Sequence, residues 1–133
     1  MLTVVTGPPC AGKSTYIAQR AERGHIVIDL DRLALALTTD DTTHHDYGQH
    51  IRNVALAARR AAIAQALRVP GAHTWIIDTD PSGQARRTYA MHKARIVTID
   101  PGIAVCMERA NRLRPAWVRP LIAAWYRRST TTG

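Results

Sequence analysis

"GPPCAGKST", residues 7–15, follows the apolar run "LTVV" at residues 2–5 and decides how the rest of the chain is read. Gly7, four residues, Gly12, Lys13 and Ser14 satisfy the phosphate-binding pattern G-x-x-x-x-G-K-S/T in its required place, between a strand and a helix. Glycines at 7 and 12 let the backbone curl, so that its N–H groups and a helix N-terminus meet phosphate oxygens. Lys13 adds a point charge for the β- and γ-phosphates, and the Ser14 hydroxyl is a ligand for Mg²⁺. The expected cradle for a nucleoside triphosphate, ATP with Mg²⁺, is thus Gly7, Pro8, Pro9, Cys10, Ala11, Gly12, Lys13, Ser14 and Thr15. A tight turn that merely joins two elements is the alternative.

Outward from this loop, short β-branched runs at 2–7, 25–30, 74–79 and 95–100 alternate with Ala- and Arg-rich stretches. The latter read as helices over 13–23, 33–37, 46–68, 82–93, 103–113 and 116–127. Four nearly continuous apolar strands separated by helices predict an α/β fold whose parallel sheet is covered on both faces. Its ligands gather at the strands' carboxyl ends. A length of 133 residues with 46% hydrophobic content suits one domain, 1–133.

Eighteen Lys and Arg against ten Asp and Glu give a net charge of +8, which favours anionic partners: nucleotides, phosphate groups or nucleic acid. Cys10 and Cys106 are the only cysteines, one in the loop and one in an apolar helix, which suits a reducing, cytoplasmic setting. No uncharged apolar stretch approaches the roughly 18 residues of a membrane span, and no basic segment precedes a cleavable apolar one. No membrane partner is expected.

Carboxylates gather where the strands end. Alternation in "VIDLDRL", residues 27–33, puts Asp29 and Asp31 on one face. An acceptor hydroxyl is a poor nucleophile and needs a carboxylate within hydrogen-bond reach, so Asp31 is the candidate base. Alternatively it caps a helix beginning at Arg32. In "TWIIDTD", residues 74–80, Asp78 is the candidate to hold a Mg²⁺-bound water or to help orient the attacking group, whereas Asp80 suits a turn and cap before the next helix. Phosphoryl transfer needs further cations, and "ERANRLRP", residues 108–115, supplies them. Arg109 and Arg112 share a helical face by spacing, while Arg114 precedes Pro115 and falls outside. The alternative for these arginines is complementing the helix dipole.

Acceptor specificity is expected between Arg32 and Arg68. "TTDDTTHHDYGQH", residues 38–50, reads as a mobile acceptor loop. A metal site at His44, His45, Asp46 and His50 is disfavoured, because no cysteine or fixed helical pairing supports it. Beyond it Ile51, Val54, Ala55, Ala58, Ala62 and Leu67 form a buried stripe. Arg52, Arg59 and Arg60 are left for other faces; Arg52, with Arg32 and Asp29, is a candidate for acceptor binding. Trp117, Trp125 and Tyr126 lie on the last helix as core or docking residues.

The ordered set "GPPCAGKST", "VIDLDRLALAL", "WIIDTDPSGQARR" and "VTIDPGIAVCMERANRLRP" resembles the small P-loop kinases of the polynucleotide-kinase and zeta-toxin type, often labelled AAA-family ATPases in phage and bacterial genomes. The resemblance covers nearly the whole chain. It implies a kinase-type P-loop fold with sheet order 2-3-1-4 and transfer of the ATP γ-phosphoryl to a hydroxyl. It does not imply which hydroxyl; the expected acceptor is a nucleoside, a nucleotide, a nucleic-acid 5′-hydroxyl or a small metabolite. It further implies Asp31 as the acceptor's base, Asp29 as a metal-shell or acceptor-binding residue, and arginines of the 108–115 stretch, Arg109 and Arg112 among them, as a lid over the phosphates. This lid is short, so slow leak hydrolysis of ATP is an expected side activity. The chain departs from the resembled pattern at Cys10 and Ala11, where Gly or Ser is usual, and at Arg32, Leu33 and Ala34 after Asp31. The runner-up reading is an ATP-binding regulatory module with little or no catalysis.

Overall fold

Leu2, Thr3, Val4, Val5 and Thr6 form β1, and all five are buried, as in a strand covered above and below. The computed structural model describes residues 1–39, 47–69 and 71–132. Over these the order is β1 (Leu2–Thr6), α1 (Lys13–Ala18), β2 (Ile26–Ile28), α2 (Leu30–Ala36), α3 (Gln49–Ala66), β3 (Thr74–Ile77), α4 (Gly83–Met91), β4 (Arg95–Thr98), α5 (Ile103–Leu113) and α6 (Val118–Thr132). The four strands make one parallel sheet in the order β2-β3-β1-β4. This is the expected 2-3-1-4 arrangement. Register is carried by β1, whose Val4 lies beside Ile76 of β3 and Ile96 of β4.

Strand alternation sends Val4 and Val5 to opposite faces. On one face Leu2, Val4, Ile28 and Ile76 pack beneath Ala66 of α3 and Tyr89 of α4. On the other, Val5 and Trp75 meet Ile17 of α1. A third cluster joins α5 and α6 through Cys106, Ala110, Val118 and Ile122, which close over Ala11 of the phosphate loop. Val4, Val5 and Ile76 are fully buried, each contributing about 1.5–3 kcal/mol by leaving water.

The sheet is not covered on both faces along its whole width, as the apolar runs suggest. Arg95, Ile96 and Thr98 of the edge strand β4 are exposed, because β4 has a single strand neighbour and lies at the rim of the helical cover. Helix α1 stops at Ala18 rather than residue 23. There the Ala21 N–H turns back to the Ile17 carbonyl at 2.7 Å, and Ala21 joins the Val5 cluster. Helix α2 begins at Leu30, three residues earlier than expected, because Asp29 caps it. Helix α6 begins at Val118, so Trp117 lies in the preceding turn rather than on the helix. Arg114 is extended ahead of Pro115, which breaks the helical run. The histidine-rich stretch with His44, His45 and Asp46 lies outside the described residues, as does the start of the helix expected from 46. Among the described residues no helix is long and apolar enough to cross a membrane.

Candidate active site

Gly7 leaves β1 with φ 146°, pressed so closely on β4's exit that an added Cβ would overlap the Ile99 carbonyl oxygen. Gly12, just before α1, sits at φ 100°. Between them Cys10 holds a left-handed φ of 65°, a conformation that glycine adopts at lower cost. Residues 7–12 thus wrap into a loop at the carboxyl end of β1, and Lys13, the first residue of α1, turns inward. Lys13 is buried, and its ammonium donates to the carbonyls of Gly7 at 2.8 Å and Pro8 at 2.7 Å. Burial lowers its pKa from 10.5 to about 8, against the raising influence of Asp29 and Asp31.

Asp29 is buried at the end of β2, where its Oδ1 accepts the Asp31 N–H at 3.1 Å and caps α2. Its Oδ2 accepts the Ser14 hydroxyl at 3.3 Å. Burial raises the Asp29 pKa, and the neighbouring Asp31 charge adds to the shift. Asp31 therefore does not cap the helix, and the two carboxylates do not lie on one strand face. Asp31 stands within the first turn of α2, and its Oδ1 accepts the Tyr47 hydroxyl at 2.7 Å. The Tyr47 pKa is pushed up to about 12, by burial first and then by that bond.

At the end of β3 the Asp78 carboxylate accepts the Tyr89 hydroxyl at 2.8 Å and pairs with Arg59 at 3.6 Å. Arg59 also donates to the Ile77 carbonyl at 3.0 Å. From α5, Arg109 reaches the loop and donates to the Cys10 carbonyl at 3.0 Å. Arg112 does not follow it: its guanidinium binds Glu108 at 3.1 Å with both side chains mostly in solvent. Three residues along a helix rotate a side chain by about 300°, and the 60° left over takes Arg112 off the cleft wall.

Most of the charged groups described above line one cleft of about 1020 Å³. The loop from Pro9 to Thr15, Asp29, Asp31, Arg32, Arg52, Arg59, Asp78, Arg109 and Arg114 all face it, and Arg112 is not part of its lining. Eight Lys or Arg side chains against three Asp make it an anion-attracting groove. Trp125 docks α6 onto the sheet by donating to the Thr79 carbonyl at 2.8 Å, and Tyr126 donates to Asp100 at the end of β4. Cys10 and Cys106 are free thiols, and burial pushes the Cys106 thiol up.

A family model described as an AAA domain matches residues 2–115. The chain belongs to the AAA-domain family. No curated protein matches it. The matched AAA domain is P-loop NTPase-like and of kinase type, in keeping with a phosphate loop at the carboxyl end of β1. Within this AAA domain the sequence gives Tyr47 no role of its own, only a place where the irregular stretch 38–50 overlaps the helix expected over 46–68. It also places Trp117 on a helix rather than in the cleft wall. No local pattern marks either one: Tyr47 is buried behind the cleft on the Asp31 carboxylate, and Trp117 lines the cleft from the turn before α6.

Proposed function

We propose that this protein transfers the γ-phosphoryl group of ATP to a hydroxyl of an anionic acceptor. The observation that carries the reading is the pair of groups facing one cleft: the Lys13 loop on one side and the Asp31 carboxylate, held by Tyr47, on the other. Loop N–H groups and Lys13 bind the phosphates, and Arg109 adds positive charge beside them. Ser14 and Asp29, a hydroxyl and a buried carboxylate oxygen 3.3 Å apart, offer the hard oxygen donors that suit Mg²⁺. Bound there, the ion would neutralise charge on the β- and γ-oxygens. Asp78, committed to Tyr89 and Arg59, steadies the arginine rather than the phosphates.

In the transfer step the acceptor oxygen gives its proton to Asp31 and forms a bond to the γ-phosphorus. The bond from that phosphorus to the β–γ bridging oxygen breaks, and ADP leaves. Arg32 and Arg52 grip the acceptor's own negative charge. Polynucleotide-kinase and zeta-toxin enzymes, which the motif order resembles, carry out steps of this class; the resemblance does not single out the hydroxyl, and a nucleoside, a nucleotide, a nucleic-acid 5′-hydroxyl or a small metabolite is the acceptor range we propose.

The test is a γ-phosphate transfer screen over nucleosides, nucleotides and 5′-hydroxyl oligonucleotides, run beside nucleotide titration. Lys13→Ala should lose binding. Asp31→Asn should keep binding and lose transfer by at least about 100-fold. Full transfer in Asp31→Asn would remove the base assignment, and binding without transfer to any acceptor would favour a regulatory module.

A further inference from the structure

Two of the three tryptophans, Trp75 and Trp125, are buried at 6% and 8% exposure, whereas Trp117 is 51% exposed and lines the cleft. Phosphoryl transfer as described above makes no use of it. Its place is fixed from two directions. The next residue, Val118, is buried against Ala11 of the phosphate loop. Leu113 also lines the cleft, four residues beyond Arg109 and so about 6 Å along the α5 axis from the residue whose guanidinium donates to the Cys10 carbonyl. Leu113 and Leu121, both half-exposed, line the same cleft as the indole. An apolar wall left open beside a phosphate site marks a place where a ligand is covered, and the end of a nucleoside triphosphate remote from its phosphates is a flat aromatic ring.

Resting on the reading of residues 7–15 as a triphosphate cradle, we propose that Trp117, flanked by Leu113 and Leu121, is the platform on which the donor's nucleobase stacks, and that this wall accepts different bases nearly alike. The stretch from 113 to 121 lines the cleft with Leu113, Arg114, Trp117, Val118 and Leu121. Arg114 is the one charged donor among them and already gives an N–H to the Leu113 carbonyl at 3.3 Å, and the others carry no amide, hydroxyl or carboxylate to read a base edge. Stacking tolerates every base, because each has a π face. Strong discrimination needs hydrogen-bonding groups that a wrong ligand leaves unpaired.

The experiment titrates ATP, GTP, CTP and inorganic tripolyphosphate, each with Mg²⁺, into the full chain and its Trp117→Ala, Trp117→Phe and Lys13→Ala variants. Tryptophan fluorescence and self-association are followed in the same samples. Trp117→Ala should weaken ATP about 10-fold while leaving tripolyphosphate within about twofold, and Trp117→Phe should recover most of the loss. ATP should quench fluorescence where tripolyphosphate does not, and the three nucleotides should bind within about 10-fold of one another. Unchanged ATP affinity in Trp117→Ala, with tripolyphosphate still bound, overturns the platform and spares the cradle. Tripolyphosphate that fails to bind, or that binds Lys13→Ala equally well, overturns the cradle and the platform together. A preference above about 100-fold for one base overturns base tolerance. Altered self-association with an unchanged ratio of ATP to tripolyphosphate affinity makes the patch a protein contact and overturns the proposal.

Discussion

The Tyr47 hydroxyl donates to the Asp31 carboxylate at 2.7 Å, joining the segment before α3 to the first turn of α2. Tyr47 is buried with Ala34 and Ala55 between those helices, so the carboxylate is aimed by a side chain that cannot easily rotate. Tyr47→Phe should keep the packing and remove the aim. The expected result is a fall in kcat of about 10-fold, about 1.4 kcal/mol of barrier, with ATP affinity within about twofold. An unchanged kcat across the acceptor screen would sink the positioning role.

Gly7 can carry no side chain, because an added Cβ meets the Ile99 carbonyl oxygen. Gly7→Ala should lose about 1–3 kcal/mol of stability through backbone strain and lose nucleotide binding with it. Thermal melts with and without ATP check both parts. A variant that melts normally and is still stabilised by ATP would contradict the contact.

Arg109 and Arg112, equal in sequence as candidate lid cations, should behave differently. Arg109→Ala removes a charged hydrogen bond to the phosphate loop and should weaken ATP binding about 10-fold. Arg112→Ala breaks a pair with Glu108 in which Arg112 is 61% exposed, and should change stability by less than about 0.5 kcal/mol. Titration of ATP into the two variants separates them, and equal losses would place Arg112 at the phosphates after all.

Far from the cleft, at the opposite ends of the strands, His73 stacks on Trp75 with ring centres 4.6 Å apart and lies 4.6 Å from His25. Burial, then His25 and the N-terminal ammonium, hold the His73 pKa below the usual 6.5, against the pull of Glu22. A lowered folded value means that the unfolded chain binds the proton first as pH falls. This contribution to stability is complete above about pH 6.5 and is lost progressively below it. Melting temperature should drop between pH 7.5 and 5.5, and His73→Gln should flatten the drop. An equal slope in the variant would assign the loss elsewhere.

The strands and the phosphate loop were legible because both rest on local pattern: short β-branched runs, and glycines whose missing side chains are themselves the signal; the order of the strands came only with the family resemblance. The roles of Asp29 and Asp31 were less legible. A strand reading placed them on one face, but the chain turns into α2 at Leu30, and that turn makes one a cap and bond partner of Ser14 and the other a first-turn carboxylate. Arg109 and Arg112 show the same limit, since spacing gives the angle between two side chains and not which of them meets the loop. Tyr47 and Trp117 depend on how turns are folded back by packing, and no short-range pattern encodes that.

The family match ends at residue 115, yet Val118 and Ile122 of α6 are part of the wall that closes over Ala11 and Cys106. A chain cut at the end of the match would keep every letter of the signature loop and lose the floor on which it rests. The motif and its foundation are therefore encoded at opposite ends of the sequence, and a change in the last helix can be felt at the phosphates without altering any residue that touches them.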